Sequence, residues 1–230
     1  MVNNPLAKIV PDAVSDYEVI QTDWLIKRWL PVDTKRLQEW YAELLERYGD
    51  WKWEYGRHKY MWKYDPQEKI GEYFQPDTAW IMMTWGKDVK GPVPWLRTIT
   101  KDEYNSPMPK DESSYRECFF GYAKEIITQF PIPAGEIQVA IHTPGTRLPQ
   151  HQDSPDKLRF HIPIHTHEDA RFVINGHDIH IPADGWAYLV NTSYLHETNN
   201  KSNIDRVHVY GNVYTSDVFS LNLDQMETFL

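Results

Sequence analysis

The chain has one cysteine, Cys118, in 230 residues. A single thiol cannot close an intramolecular disulfide, and a zinc centre built from several thiolates is excluded. The compartment expected from this is reducing, the cytoplasm. Long apolar runs are missing as well. No stretch approaches the ~18 apolar residues a membrane-spanning helix needs. The opening segment, MVNNPLAKIVPDAV, has none of the hydrophobic run a signal peptide carries. No membrane partner is therefore expected. Positive charge is in deficit too: the net charge is −9 and the pI about 5.5. That argues against a nucleic-acid-binding face, which needs clustered Lys and Arg, but leaves room for a small positive pocket. Internal repeats and low-complexity tracts are also absent.

What is present is 41% hydrophobic residues, enough for one undivided domain with its own core. Nine of ten Trp fall between Trp24 and Trp95, and nine of ten His between His142 and His208. The Trp-rich part is expected to supply core and contact surface. Leu37, Trp40, Tyr41, Leu44, Leu45 and Tyr48 repeat at helical spacing, which predicts a helix from Asp33 to Gly49. A second apolar stripe, with Ser114 and Glu117 as a capping box and Pro131 as a stop, predicts a helix over Ser114–Phe130. Cys118 would lie buried on that stripe. Thr78–Trp85 reads as a strand and residues 86–113 as loops. Beyond residue 130 the period changes to two. Strands are predicted at Ile137–His142, Leu158–His165, Ala170–Ile174, His177–Ile181, Trp186–Asn191 and Arg206–Tyr214, with Asn175-Gly176 as a tight hairpin turn. Short strands at this spacing indicate a sandwich or barrel, read here as a mainly β barrel with flanking helices. The division expected is a helical and loop part at 1–130 packed on a barrel core at 131–216, with a tail at 217–230.

Residues 148–165, LPQHQDSPDKLRFHIPIH, mix ligand-type side chains with aliphatic ones. His151 and Asp153 are two apart, so an extended backbone turns both to one face. A third metal ligand must come from elsewhere, and His196, 43 residues after Asp153, is the candidate. Two His and one carboxylate on one face of an octahedral metal leave three positions open, as in non-haem Fe(II) oxygenases. Two would serve a chelating 2-oxo acid and one dioxygen. A cosubstrate such as 2-oxoglutarate carries a second carboxylate, and Arg206, ten residues after His196, suits it as a two-point partner. His208, two further on, faces the same side and would add a hydrogen bond. Glu197 is placed either to orient a ligand or to face solvent. His165, His167, His177 and His180 read as surface or hairpin histidines.

HQD…RFHIPIH, GWAYLVNTSYLHETNN and the following RVH resemble the aspartyl/asparaginyl β-hydroxylase family of Fe(II)/2-oxoglutarate-dependent dioxygenases over about residues 136–215. The HE-x-x-N element with an arginine ten residues past the His carries most of that resemblance. It implies a double-stranded β-helix, a jelly-roll, cupin-like fold. It implies Fe(II) on His151 and His196, and Arg206 on the distal carboxylate of 2-oxoglutarate. Arg159 and His161 match the family's R-x-H, which contacts substrate and cosubstrate carboxylates. The vertebrate β-hydroxylase lacks an acidic iron ligand, whereas this chain has Asp153; that brings it nearer the hydroxylases of free amino acids, of the proline cis-4-hydroxylase type.

The activity expected is hydroxylation of an unactivated C–H bond, with 2-oxoglutarate and O2 consumed, on a free amino acid or similar small molecule. Two rivals stand beside it: hydroxylation of an aspartyl or asparaginyl side chain in a peptide or protein, and a cupin-like binding module without catalysis. The segment Trp51–Tyr64 is expected to cover the pocket and shape substrate choice.

Overall fold

The computed structural model describes residues 18–48, 54–55, 78–82, 97–99, 114–116 and 119–230. Gly49, Glu117, Cys118, residues 83–85 and most of the Trp51–Tyr64 segment lie outside the described residues, so the readings made for them stay as expectations. The strands are β1 (Ile26–Pro31), β2 (Glu54–Tyr55), β3 (Thr78–Met82), β4 (Arg97–Ile99), β5 (Ser114–Arg116), β6 (Ala134–His142), β7 (Arg147–His151), β8 (Lys157–His165), β9 (Ala170–Ile174), β10 (His177–Ile179), β11 (Trp186–Val190), β12 (His196–Asn200), β13 (Arg206–Tyr214) and β14 (Glu227–Thr228). The helices are α1 (Thr34–Tyr48), α2 (Gly121–Thr128) and a single turn, α3 (Thr215–Val218).

One sheet of eight strands runs β14-β1-β11-β8-β13-β6-β3-β2, and a second of four runs β10-β9-β12-β7. From β6 onward the chain crosses between them: β6, β8, β11 and β13 lie in the large sheet, and β7, β9, β10 and β12 in the small one. The pairings are antiparallel. This strand order is that of a double-stranded β-helix. The parts of the chain outside 131–216 also enter it: β1 pairs with β11, and β14 pairs with β1.

The central strands of the large sheet have two different faces. On β8, Leu158, Phe160, Ile162 and Ile164 are fully buried in one apolar cluster with Leu37, Trp40 and Leu44 of α1 and Ala123, Ile126 and Ile127 of α2. Ala187 and Leu189 of β11, and Val207, Val209 and Val213 of β13, join the same cluster. The alternate residues Arg159, His161, Arg206, His208 and Tyr210 turn the other way, into a cavity between the sheets. The strand period of two explains why aliphatic and ligand-type residues share one segment. Each fully buried Leu, Ile or Phe contributes about 1.5–3 kcal/mol, so the helix-covered face holds the sheet and leaves the other free for polar groups. Pro163 in a central strand removes one ladder donor, and the β8–β13 register shifts there, between Val207 and His208. A second apolar cluster, with Ile26, Ile174, Ile181, Tyr188 and Val190, fills the barrel interior beside Phe172.

Helix α1 starts as expected: Asp33 accepts the Arg36 N–H on its side chain at 3.1 Å. The hairpin between β9 and β10 is turned by Asn175 and Gly176, both at positive φ (47° and 81°). The predicted helix over Ser114–Phe130 is corrected. Ser114–Arg116 is strand β5, paired in parallel with β4, and the helix covers only Gly121–Thr128. Of the stripe, Phe119, Ala123, Ile126, Ile127 and Phe130 are buried in one cluster, but Gly121 stands at φ +54° against the Trp40 ring and redirects the chain. Phe120 at the helix start is extended and offers no side-chain cap. The loop reading of 86–113 is corrected at Arg97–Ile99, which forms β4. Besides β4 and β5, five strands were not foreseen: β1, β2, β7, β12 and β14. Strand β12 reads HETNN, poor in β-formers; its Thr198, Asn199 and Asn200 are buried by the fold rather than drawn in by propensity.

Candidate active site

His151 ends β7 and His196 opens β12, and the two are directly paired across the small sheet. Their rings lie 4.2 Å apart, centroid to centroid. Asp153 lies two residues beyond the end of β7. Its backbone N–H donates to the Thr192 carbonyl at 3.0 Å, while Gln152 between the two ligand candidates points away and donates to Ser193 O at 2.9 Å. Asp153 Oδ2 comes within 3.8 Å of His196 Nε2. One ligand atom from each of His151, Asp153 and His196 lies within 4.8 Å of the others, a spacing a single metal ion can bridge. Among the described residues this is the one such group of three or more.

The electronic state of these groups suits a cation. His196 Nδ1 donates to the Tyr194 carbonyl at 2.9 Å, which leaves the Nε2 lone pair toward Asp153. Burial pushes the His196 imidazole down to about 3, so it stays neutral near pH 7. For Asp153, burial alone would raise the carboxyl. The Arg159 guanidinium beside it, through charge and hydrogen bonds, overrides that and holds it well below the usual carboxylate range. Arg159 meets Asp153 along one edge: Nη2 donates to Oδ1 at 3.1 Å and Nε donates to Oδ2. Its guanidinium lies 5.2 Å over the Tyr210 ring.

The large sheet supplies a second constellation. Arg206 is 4% exposed. Its Nη2 donates to His208 Nδ1 at 3.2 Å, and His161 Nδ1 lies 3.5 Å from the same atom. Among the described residues no carboxylate pairs with Arg206. Burial lowers its pKa to about 10, so it remains a cation at neutral pH. Burial first, and then the Arg206 charge, hold His161 and His208 well below an ordinary histidine, and both stay neutral. Since His208 Nδ1 accepts from Arg206, its proton sits on Nε2. That Nε2, the Nε2 of His161 and the Thr192 hydroxyl are buried polar atoms without a hydrogen-bond partner among the described residues. A buried unsatisfied polar group costs about 1–3 kcal/mol, so three lining one cavity mark a place built for a polar guest.

The cavity has a volume of about 280 Å³, and both constellations line it. Seven residues singled out in the sequence thus line one cavity: His151, Asp153 and His196 on one side, Arg206, His208 and His161 on the other, with Arg159 against Asp153. Sequence reasoning missed Thr192, Phe172, Thr198 and Tyr210. Tyr210 was open to the period-two rule, being two beyond His208. Phe172, which stacks on His196 at 5.7 Å, and Thr192 had no signal in the pattern. Glu197 faces away from the ligand candidates and accepts from Arg147 at 2.7 Å. His165 packs on Tyr41 and His180 meets Thr166, both apart from the metal-ligand group. Among the described residues, no helix is long and apolar enough to cross a membrane.

Comparison with known proteins adds three findings. Residues 95–215 match the family model described as aspartyl/asparaginyl beta-hydroxylase. No curated protein matches the chain. Solved structures similar to it include a Pseudomonas putida prolyl-4-hydroxylase, 11% identical with a TM-score of 0.48 over 84% of this chain and 93% of that one. An oxidoreductase of the 2OG-Fe(II) oxygenase family from Burkholderia pseudomallei is 15% identical, with a TM-score of 0.35 over 75% of this chain and 89% of that one. A predicted oxalate decarboxylase from Thermotoga maritima is 18% identical, with a TM-score of 0.30 over 35% and 67%.

Proposed function

The chain belongs to the aspartyl/asparaginyl β-hydroxylase family and is an enzyme of that hydroxylase kind; from this premise we propose that it is an Fe(II)- and 2-oxoglutarate-dependent dioxygenase that hydroxylates a free amino acid or a similarly compact molecule. One observation carries the reading. A single cavity has a two-His, one-carboxylate cluster on its small-sheet side and, on its large-sheet side, a buried arginine with no carboxylate partner among the described residues.

The residues present fit the absent groups. His151 Nε2 or Nδ1, Asp153 and His196 Nε2 form a mixed nitrogen and oxygen donor set suited to Fe(II). Arg206 would hold the far carboxylate of 2-oxoglutarate, with His208 Nε2–H as a further donor and His161 beside it. Bound there, iron supplies the chemistry by which dioxygen puts one oxygen atom into a substrate C–H bond and the other into 2-oxoglutarate, which leaves as succinate and carbon dioxide. The chain's own residues do the rest. Arg206 keeps its charge at neutral pH and orients the cosubstrate. His161 and His208 stay neutral and donate or accept without adding charge. Phe172 stacks on His196 and keeps water from that side of the ring. The cavity, about 280 Å³, lies just below the usual range of small-molecule sites, roughly 300–1,000 Å³. That favours a compact substrate over a folded protein surface.

The test is turnover by the purified full chain with Fe(II), 2-oxoglutarate and air, against panels of free amino acids and of Asp- or Asn-containing peptides. The expected result is succinate formation stimulated by a free amino acid, with a product heavier by one oxygen atom. Stimulation by peptides alone would transfer the assignment to a peptide side chain. Absence of succinate with every candidate, together with no metal uptake, would leave only a binding module.

A further inference from the structure

We propose that Arg159 is the positioning residue of the Asp153 carboxylate, holding it in the orientation in which it shares a cation with His151 and His196. The inference rests on the metal-centre reading above, and it gives Arg159 a different task from a contact with substrate or cosubstrate.

Asp153 has little else to hold it. It lies past the end of β7, outside any strand ladder, and among the described residues its main chain is tied by one hydrogen bond, from its N–H to Thr192 O. Two side-chain torsions would remain free to turn the carboxylate out of the cluster. Arg159 removes that freedom with two parallel hydrogen bonds from one guanidinium edge, Nε to Oδ2 and Nη2 to Oδ1. A two-point contact fixes a plane as well as a distance. The oxygen that faces His196 Nε2, Oδ2, also accepts from Arg159 Nε. A carboxylate oxygen has two lone-pair directions, so Oδ2 can serve both a donor and a cation.

Arg159 is itself fixed. It stands on β8, a central strand flanked by β11 and β13, and its guanidinium lies over Tyr210. The loop that carries Asp153 is anchored at its far end too: Thr215 donates from its backbone N–H to Asp156 O at 3.0 Å and from its hydroxyl to Pro155 O at 2.8 Å. One of the two guanidinium edges able to grip a carboxylate at two points, Nε–Nη2, is committed to Asp153. Side-chain exposures of 25% for Arg159 and 18% for Asp153 place the pair in a partly dried setting, where the fork is less screened than at an open surface.

The probe is Co(II), titrated into the full chain and followed by its visible d–d absorption, which reports coordination as well as affinity. Arg159→Lys keeps a positive charge beside Asp153 but cannot make the fork; Arg159→Gln keeps a donor without charge. Both are expected to weaken Co(II) binding on the order of 10–100-fold, the usual cost of losing a group that orients a ligand, and to alter the absorption bands. In an Asp153→Asn background the same Arg159→Lys change should add almost nothing, because its effect acts through the carboxylate. Near-UV circular dichroism identifies a variant that has lost its fold, and Arg159→Lys leaves no unpaired carboxylate, so one clean comparison survives. Variants that bind Co(II) as tightly as the parent, with only the substrate KM raised, would overturn the proposal in favour of a substrate contact. Tighter binding would overturn it in favour of a competitor for Asp153. A parent chain that takes up no Co(II) would refute the metal centre itself, a result distinct from either.

Discussion

The two faces of the large sheet are made by the same strands and obey opposite rules. On the helix-covered face, Phe160, Ile162, Leu189 and Val209 are buried with no polar atom of their own side chains, and the unmet polar atoms packed with them are the indole N–H groups of Trp29 and Trp40. On the cavity face, one residue away along each strand, Arg206, His208 and His161 are as deeply buried, yet two of their ring nitrogens lack partners and the guanidinium lacks a counter-ion among the described residues. The first face is closed by apolar packing. The second turns a cation and two ring nitrogens toward the cavity. Stability and activity should therefore separate by residue parity, and each variant below either separates them or fails to.

The largest separation is expected from His196→Ala. Removing a cluster member should cut turnover by at least about 10²-fold, beyond the 10–100-fold typical of groups that only orient a ligand, with little change in thermal midpoint; activity assay and calorimetry on the same sample measure both. Phe160→Ala should do the reverse. Its ring packs against Phe130 at 4.9 Å and Trp29 at 6.4 Å, and its loss should cost about 3–5 kcal/mol by denaturant titration, while metal affinity of the folded molecule holds. Arg206→Met comes next. Losing the partner of a buried carboxylate costs about 2–5 kcal/mol, so the KM for 2-oxoglutarate should rise by roughly 30-fold or more. The cosubstrate-free protein should melt no earlier than the parent, since a buried unpaired cation has been replaced by an apolar chain. An early melt would mean that Arg206 is structural and that the two faces are not distinct.

Parity is also what made so much of this site legible in advance. Whereas Arg159 with His161 was singled out by the family's R-x-H, Arg206 with His208 is an i, i+2 pair on a strand whose alternation is plain, and its shared face followed from geometry alone. His151 and Asp153 converge for the same reason, though Asp153 lies just past the strand. The partner His196 could be placed in the cluster from its spacing, but its strand could not be foreseen, since HETNN carries two asparagines and no β-branched residue besides Thr198. Only the pairing with β7 and β9 makes it extended. The helix at 114–130 failed for a related cause. A period of 3.6 reports which side chains meet the core, and it does not report a single backbone torsion such as that of Gly121. Thr192 and Phe172 reach the cavity by tertiary placement and left no local pattern.

The smallest effect expected is one of slope. His142 closes β6 on the cavity face, 3% exposed, with Nδ1 at 3.5 Å from Thr198 Oγ1. Burial first, then the Arg206 charge, hold its pKa well below the ordinary value near 6.5. In the native state it is neutral; in the unfolded chain it takes up a proton as the pH falls through about 6.5. Below that pH the unfolded state binds more protons than the native one, so stability falls as the pH falls. It is fully present above about 6.5 and is lost on the way down to the depressed native pKa. One such group contributes a slope of at most about 1.4 kcal/mol per pH unit. His142→Gln removes the titration and should flatten the acid limb by up to that amount in denaturant titrations between pH 7 and 5.5. Val139→Ala, three residues earlier on the opposite face of the same strand and fully buried, carries no proton and should lower the whole curve in parallel. If both variants shift the curve without changing its slope, His142 is not held neutral by burial, and the polar face is less dry than its distances imply.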